Sequence, residues 1–211
     1  FQELDKSKIP NFELLDPAVM KAVAANDPGN RHGAVYMWGT TGIGYNVEMI
    51  EARLPDAPTA SFDLIFDPAV ASNFEDCGIA FIDEAQDIYA AALNYLGLDP
   101  NSEDPDDLAK AQALLESVRP NIRYFNSSQY INDLANGEIC VAFGYSGDIL
   151  QARDRAAEAA NDVEIAYTIP EEGTVIWFDM MAIPADAPNP EGAHAFIDYL
   201  LEPAVAARNS N

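Results

Sequence analysis

The 211-residue sequence is 49% hydrophobic, 10% aromatic and 22% charged, which excludes a disordered chain and suffices for one large domain or two small ones. Its 35 acids against 11 Lys and Arg give a formal charge of −24, a field that repels polyanions such as nucleic acid and attracts amines, basic amino acids and metal ions. The same acidity also fits a solvated surface suited to salty surroundings.

No apolar run approaches the ~20 residues of a membrane helix, and Phe1-Gln2-Glu3-Leu4-Asp5 has no basic region leading into an apolar stretch. These residues therefore predict neither a membrane span nor a leader. Apolar and β-branched patterning predicts strands at 34–38, 78–82, 139–143, 163–169 and 175–183, with helices between most of them, an α/β alternation. Thr40-Thr41-Gly42-Ile43-Gly44 lacks the GK[ST] of a phosphate loop and reads as a tight backbone passage. A helix is expected over 85–96, closed by Gly97. Asp104-Pro105-Asp106-Asp107 supplies a cap, a first-turn proline and acid at the positive helix end, with Leu108, Leu115 and Val118 on one face. Ser127-Ser128-Gln129-Tyr130 opens a further helix that ends at Asn136-Gly137. Helices over 148–160 and 191–201, the second introduced by Asn189-Pro190, complete the set.

Cys77 and Cys140 lack CxxC or Cys/His ligand spacing, so no metal site is expected. Cys77 precedes the strand at 78–82 and Cys140 lies within the one at 139–143. On the residues alone they are either a disulfide, if those strands are neighbours, or two buried thiols.

In open α/β sheets ligands bind beyond the carboxyl ends of the strands. Asp83, Glu84 and Asp87 follow the strand at 78–82, Gly144-Tyr145-Ser146-Gly147-Asp148 follows the one at 139–143, and the late strand carries Trp177-Phe178-Asp179. Carboxylates accept hydrogen bonds from ammonium groups, and aromatic faces attract cations while packing against methylenes, so this combination suits alkylamines. Asp148 and Asp87 read equally well as first-turn helix acids and Trp177 as core. Gly144-Tyr145-Ser146-Gly147 misses the G-x-S-x-G spacing of a nucleophile elbow, and only His32 and His194 could serve as bases, so a hydrolytic triad is not expected.

Tyr36-Met37-Trp38-Gly39-Thr40-Thr41-Gly42-Ile43-Gly44-Tyr45-Asn46-Val47 resembles the crossover segment of periplasmic polyamine-binding proteins of ABC transporters, in their putrescine-binding branch. Arg119 to Phe125, Ser127 to Phe143 and Ile183-Pro184-Ala185-Asp186-Ala187 extend the resemblance over essentially the whole chain. It implies a type II periplasmic binding fold, α/β and two-lobed, with 37–180 as the complete second lobe. Residues 1–36 and 181–211 become parts of an incomplete first lobe, crossing near Tyr36-Met37 and Met180-Met181, with the chain truncated at both ends. Further implications are a Cys77–Cys140 disulfide, a periplasmic location, a monomer, a polyamine ligand delivered to a membrane permease, and neither cofactor nor catalysis.

Carried over by position, the resemblance assigns Asp87 to one terminal amine, Tyr145 and Asp148 to the family's G-W-x-G-D motif, and Trp177 and Asp179 to its late aromatic-x-Asp motif. Asp87 stands where Glu is usual and Trp177 where Phe is common, two changes that favour spermidine over putrescine; Tyr145 in place of Trp works the other way. The alternatives are a site for another cation, such as a basic amino acid, or a hydrolase using paired carboxylates.

Overall fold

The computed structural model describes residues 1–210. The chain divides into two compact units, Thr40–Ile176 and, discontinuous in sequence, Phe1–Gly39 with Trp177–Asn211. The divisions fall a few residues inside the crossings expected at Tyr36-Met37 and Met180-Met181, which leaves Trp177 and Asp179 in the smaller unit.

Six strands form: β1 (Gly33–Asn46), β2 (Ile79–Phe81), β3 (Ile122–Phe125), β4 (Val141–Tyr145), β5 (Ile165–Thr168) and β6 (Ile176–Ala182). The sheet runs β3-β2-β4-β1-β5, and β6 pairs with β1 off this path. β2 lies parallel to β3 and β4, whereas β1 is antiparallel to β4 and β5, so the sheet is mixed. Parallel neighbours need long crossovers. The helices Ala85–Tyr95 and Pro105–Val118 supply one between β2 and β3, and Gln129–Ala135 lies on the next connection, which passes β2 to reach β4.

Local chemistry accounts for these helices. The Asp104 carboxylate accepts from the Asp106 N–H at 2.8 Å, capping the Pro105–Val118 helix. Gly137 takes the left-handed conformation, φ +70°, that ends the helix before β4. The segment expected as a tight passage, Thr40 to Gly44, is extended and belongs to β1. Closeness is still its character: a Cβ at Gly42 would lie 2.5 Å from the Tyr167 hydroxyl. The glycine serves a neighbour's approach within a strand, not a turn.

In the larger unit the fully buried Phe62, Phe66, Phe81 and Phe143 form a chain of rings, with centroids 5.2 Å apart for Phe62–Phe66, 6.1 Å for Phe66–Phe81 and 5.6 Å for Phe81–Phe143. Each such side chain contributes about 1.5–3 kcal/mol through burial. Cys77 and Cys140, immediately ahead of the adjacent strands β2 and β4, form a disulfide with Cα atoms 5.5 Å apart. Closing a loop of 63 residues stabilises by about 4 kcal/mol in the chain-entropy model.

The smaller unit has two modest clusters: Leu4, Ile9, Ala34, Ile183, Ile197 and Leu201 in one, Met20, Val23 and Val35 in the other. Among the described residues no helix is long and apolar enough to cross a membrane.

Candidate ligand-binding site

Because β2, β3 and β4 are parallel, their carboxyl ends emerge on one edge of the sheet. The antiparallel β1 brings Thr41 to that edge, opposite Tyr145. Asp87 lies in the first turn of the helix that follows β2, and Asp148 in the first turn of the Ser146–Ala159 helix that follows β4. A carboxylate near a positive helix end is favourably placed. Both are half-buried.

Two hydrogen-bonded groups meet at this edge. Thr41 donates its Oγ1 hydroxyl to Asp87 Oδ2 at 2.6 Å. The Tyr130 phenol donates to Asp148 Oδ2 at 2.7 Å and accepts the main-chain N–H of Tyr145 at 3.0 Å. Thr41 and Tyr145 are register partners, so the Asp87–Thr41 group and the Tyr145–Tyr130–Asp148 group stand on adjacent strands at the same edge. Burial, and then the Asp148 carboxylate, push the Tyr130 phenol far above the ordinary tyrosine range, so it remains a donor. Gly144 makes room for it: a Cβ there would lie 2.7 Å from the Tyr130 ring.

Around these groups, Ser127 Oγ accepts the Asp83 N–H at 2.9 Å, tying the loops after β2 and β3 together. Thr40 Oγ1 and the Tyr167 hydroxyl share a hydrogen bond of 2.6 Å. Asp87 also lines a cavity of about 740 Å³ whose other walls include Tyr89, Asn94, Glu172 and Thr174.

Of the five expected ligand residues, the larger unit therefore brings together Asp87, Tyr145 and Asp148. Trp177 and Asp179 stand on β6 in the smaller unit, the indole half-buried and the carboxylate exposed. The two histidines are engaged within the smaller unit. His194 accepts the Asp5 N–H on Nε2 at 2.9 Å and donates from Nδ1 to the Pro190 carbonyl at 2.7 Å, while His32 pairs with Asp27 at 3.0 Å. Thr41 and Tyr130 were not singled out as site residues by sequence reasoning. A tyrosine on the inner face of a short helix offers one signal, because its buried hydroxyl must find a partner.

An α/β unit with acids and an aromatic residue gathered at the carboxyl edge of its sheet has the make-up of a solute-binding domain. The family of bacterial extracellular solute-binding proteins matches the sequence over residues 1–211, and the chain belongs to that family. It is 52% identical over 213 residues to the putrescine-binding periplasmic protein PotF of Escherichia coli (strain K12), covering 100% of this chain and 58% of that protein. It is 50% identical over 208 residues to the putrescine-binding periplasmic protein SpuD of Pseudomonas aeruginosa (strain UCBPP-PA14), covering 98% of this chain and 57% of that one. Among solved structures, the spermidine/putrescine ABC transporter substrate-binding protein PotD from Streptococcus pneumoniae superposes with a TM-score of 0.77 at 29% identity, covering 98% of this chain and 58% of that one. The chain thus spans somewhat over half the length of these relatives.

Proposed function

We propose that the protein captures a short linear polyamine, putrescine or spermidine, in the periplasm and delivers it to the permease of an ABC importer, without catalysing a reaction. The observation that carries this reading is the pair of carboxylates, Asp87 and Asp148, held with Tyr145 at one edge of the sheet, each by a buried hydroxyl from adjacent structure. Two acids and an aromatic face match the two ammonium ends and the methylene chain of such a ligand. Trp177 and Asp179 are proposed as further ligand residues on the family resemblance. In the same reading, Thr40–Ile176 is one lobe of a two-lobed binding protein, and the flanking segments belong to the other. The Cys77–Cys140 disulfide supports an oxidising compartment.

Calorimetric titration of the full-length protein with putrescine, spermidine, arginine and divalent metals tests the proposal. Binding of at least one polyamine at micromolar or lower concentration is expected, and Asp148→Asn should weaken it at least tenfold, as for loss of a charge-assisted hydrogen bond. Binding of arginine or a metal, with neither polyamine bound, would overturn the polyamine assignment.

A further inference from the structure

Asp87 and Asp148 are each met from within the fold by a hydroxyl that solvent does not reach: Thr41 and Tyr130 are both 0% exposed. We propose that Tyr130 and Thr41 are positioning residues for ligand capture, each fixing one oxygen of its carboxylate so that the other is presented to an ammonium group. The inference rests on the polyamine reading of Asp87 and Asp148 and assigns work to two residues that never touch the ligand.

The geometry leaves these hydroxyls little freedom. The phenol of Tyr130 accepts from the Tyr145 N–H at 3.0 Å, so its own proton is committed to Asp148 Oδ2 at 2.7 Å. One side chain thereby sets both the acid and the main chain that carries the neighbouring aromatic. Its ring is seated against Gly144, where any Cβ would intrude to 2.7 Å. Thr41 is held at three points. Its N–H donates to the Val175 carbonyl at 3.1 Å, its carbonyl accepts from Thr174 Oγ1, and its own Oγ1 reaches Asp87 Oδ2 at 2.6 Å. A carboxylate accepts about four hydrogen bonds, so one taken from behind leaves capacity for the ligand. An acid already ordered loses less conformational entropy when the ammonium arrives.

The test uses the full-length protein, titrated with putrescine and spermidine, with a thermal melt of every variant. Tyr130→Phe keeps the ring in its seat and should weaken the better-bound amine about fivefold to tenfold, the effect of releasing one rotamer-rich side chain. In an Asp148→Asn background the same substitution should lose most of its effect, to within about twofold, because only its contact with the Tyr145 N–H remains. Thr41→Val should weaken binding about fivefold, and Thr41→Ser, which restores the hydroxyl, should return it to within about twofold of the parent. If Tyr130→Phe and Thr41→Val lower the melting temperature and leave affinity intact while Asp148→Asn and Asp87→Asn abolish binding, the hydroxyls are core packing and the inference falls alone. An undiminished Tyr130→Phe effect in the Asp148→Asn background also overturns it. Parental affinity in Asp148→Asn and Asp87→Asn overturns the site and the inference together.

Discussion

The two units of this chain solve burial in different ways. The larger gathers its buried side chains into one cluster with fully enclosed phenylalanine rings and a disulfide beside its two inner parallel strands. The smaller distributes fewer buried residues over two separate clusters and leaves Phe1, Leu14, Trp38, Phe196 and Tyr199 more than half exposed. A single interlocked core supports a rigid edge on which acids can be aimed within tenths of an ångström. In this chain, which spans somewhat over half the length of its relatives, the smaller unit buries fewer residues, so its opening free energy here should lie below that of its companion.

Truncating the core should expose this difference most strongly. Phe143→Ala, which removes a fully buried ring packed on Phe62 and Phe81, should cost about 3–5 kcal/mol, whereas Ile183→Ala in the smaller unit should fall near 2 kcal/mol, the lower end for its type. Denaturant unfolding, followed by hydrogen exchange in each unit, measures both; equal costs would erase the distinction. Reduction of Cys77–Cys140 comes next, with an expected loss of about 2–4 kcal/mol confined to the larger unit. Scanning calorimetry with and without reductant would show one transition shifting; displacement of both by the same amount would mean that the units melt together.

The smallest effect is an acid one. Burial opposes ionisation of Asp27, but hydrogen bonds from the His32 ring and the N–H groups of His32, Gly33 and Arg31 outweigh it and hold its pKa at about 2, against an ordinary 3.8. A folded-state pKa below the unfolded one gives stability that is complete above the ordinary value and is lost as pH falls through the lower one. Asp27→Asn should therefore flatten the pH dependence of the smaller unit's melting between about pH 4 and pH 2 and leave the larger unit's curve in place. Asp76, which the Arg53 guanidinium holds at about 2 against a smaller opposing effect of burial, provides the matching control in the larger unit.

Much of the architecture is legible wherever local chemistry is strong. The Asp104 cap, the break at Gly137 and the strands around 79–81 and 141–145 follow from residues within a few positions of each other. β3 is harder to read, since four residues with two charged or polar members carry too little alternation to stand out. Thr40 to Gly44 misleads because its glycines suggest a tight passage, and only side chains far along the chain, Tyr167 against Gly42 and Ile149 against Gly44, explain them. Within the site, Asp87, Tyr145 and Asp148 can be found from their places after strands and from family resemblance. The roles of Tyr130 and Thr41 cannot, because hydrogen bonds to acids eighteen and forty-six residues later are properties of packing; for Tyr130 the sequence signals only that a buried hydroxyl needs some partner.

The strand order also sets a timetable for folding. β4 lies at the centre of the sheet, paired on one side with β2 and on the other with β1, and the register couples Thr41 to Tyr145. None of these pairings can nucleate from neighbouring residues, so a long stretch of chain must be synthesised and collapsed before the first central ladder closes. Sheets dominated by such distant pairings fold in roughly milliseconds to seconds, slower than helical bundles by orders of magnitude. Through that interval the phenylalanines destined for the core remain open to other chains, and the two thiols, which meet only once β2 and β4 are side by side, should be among the last groups to find each other.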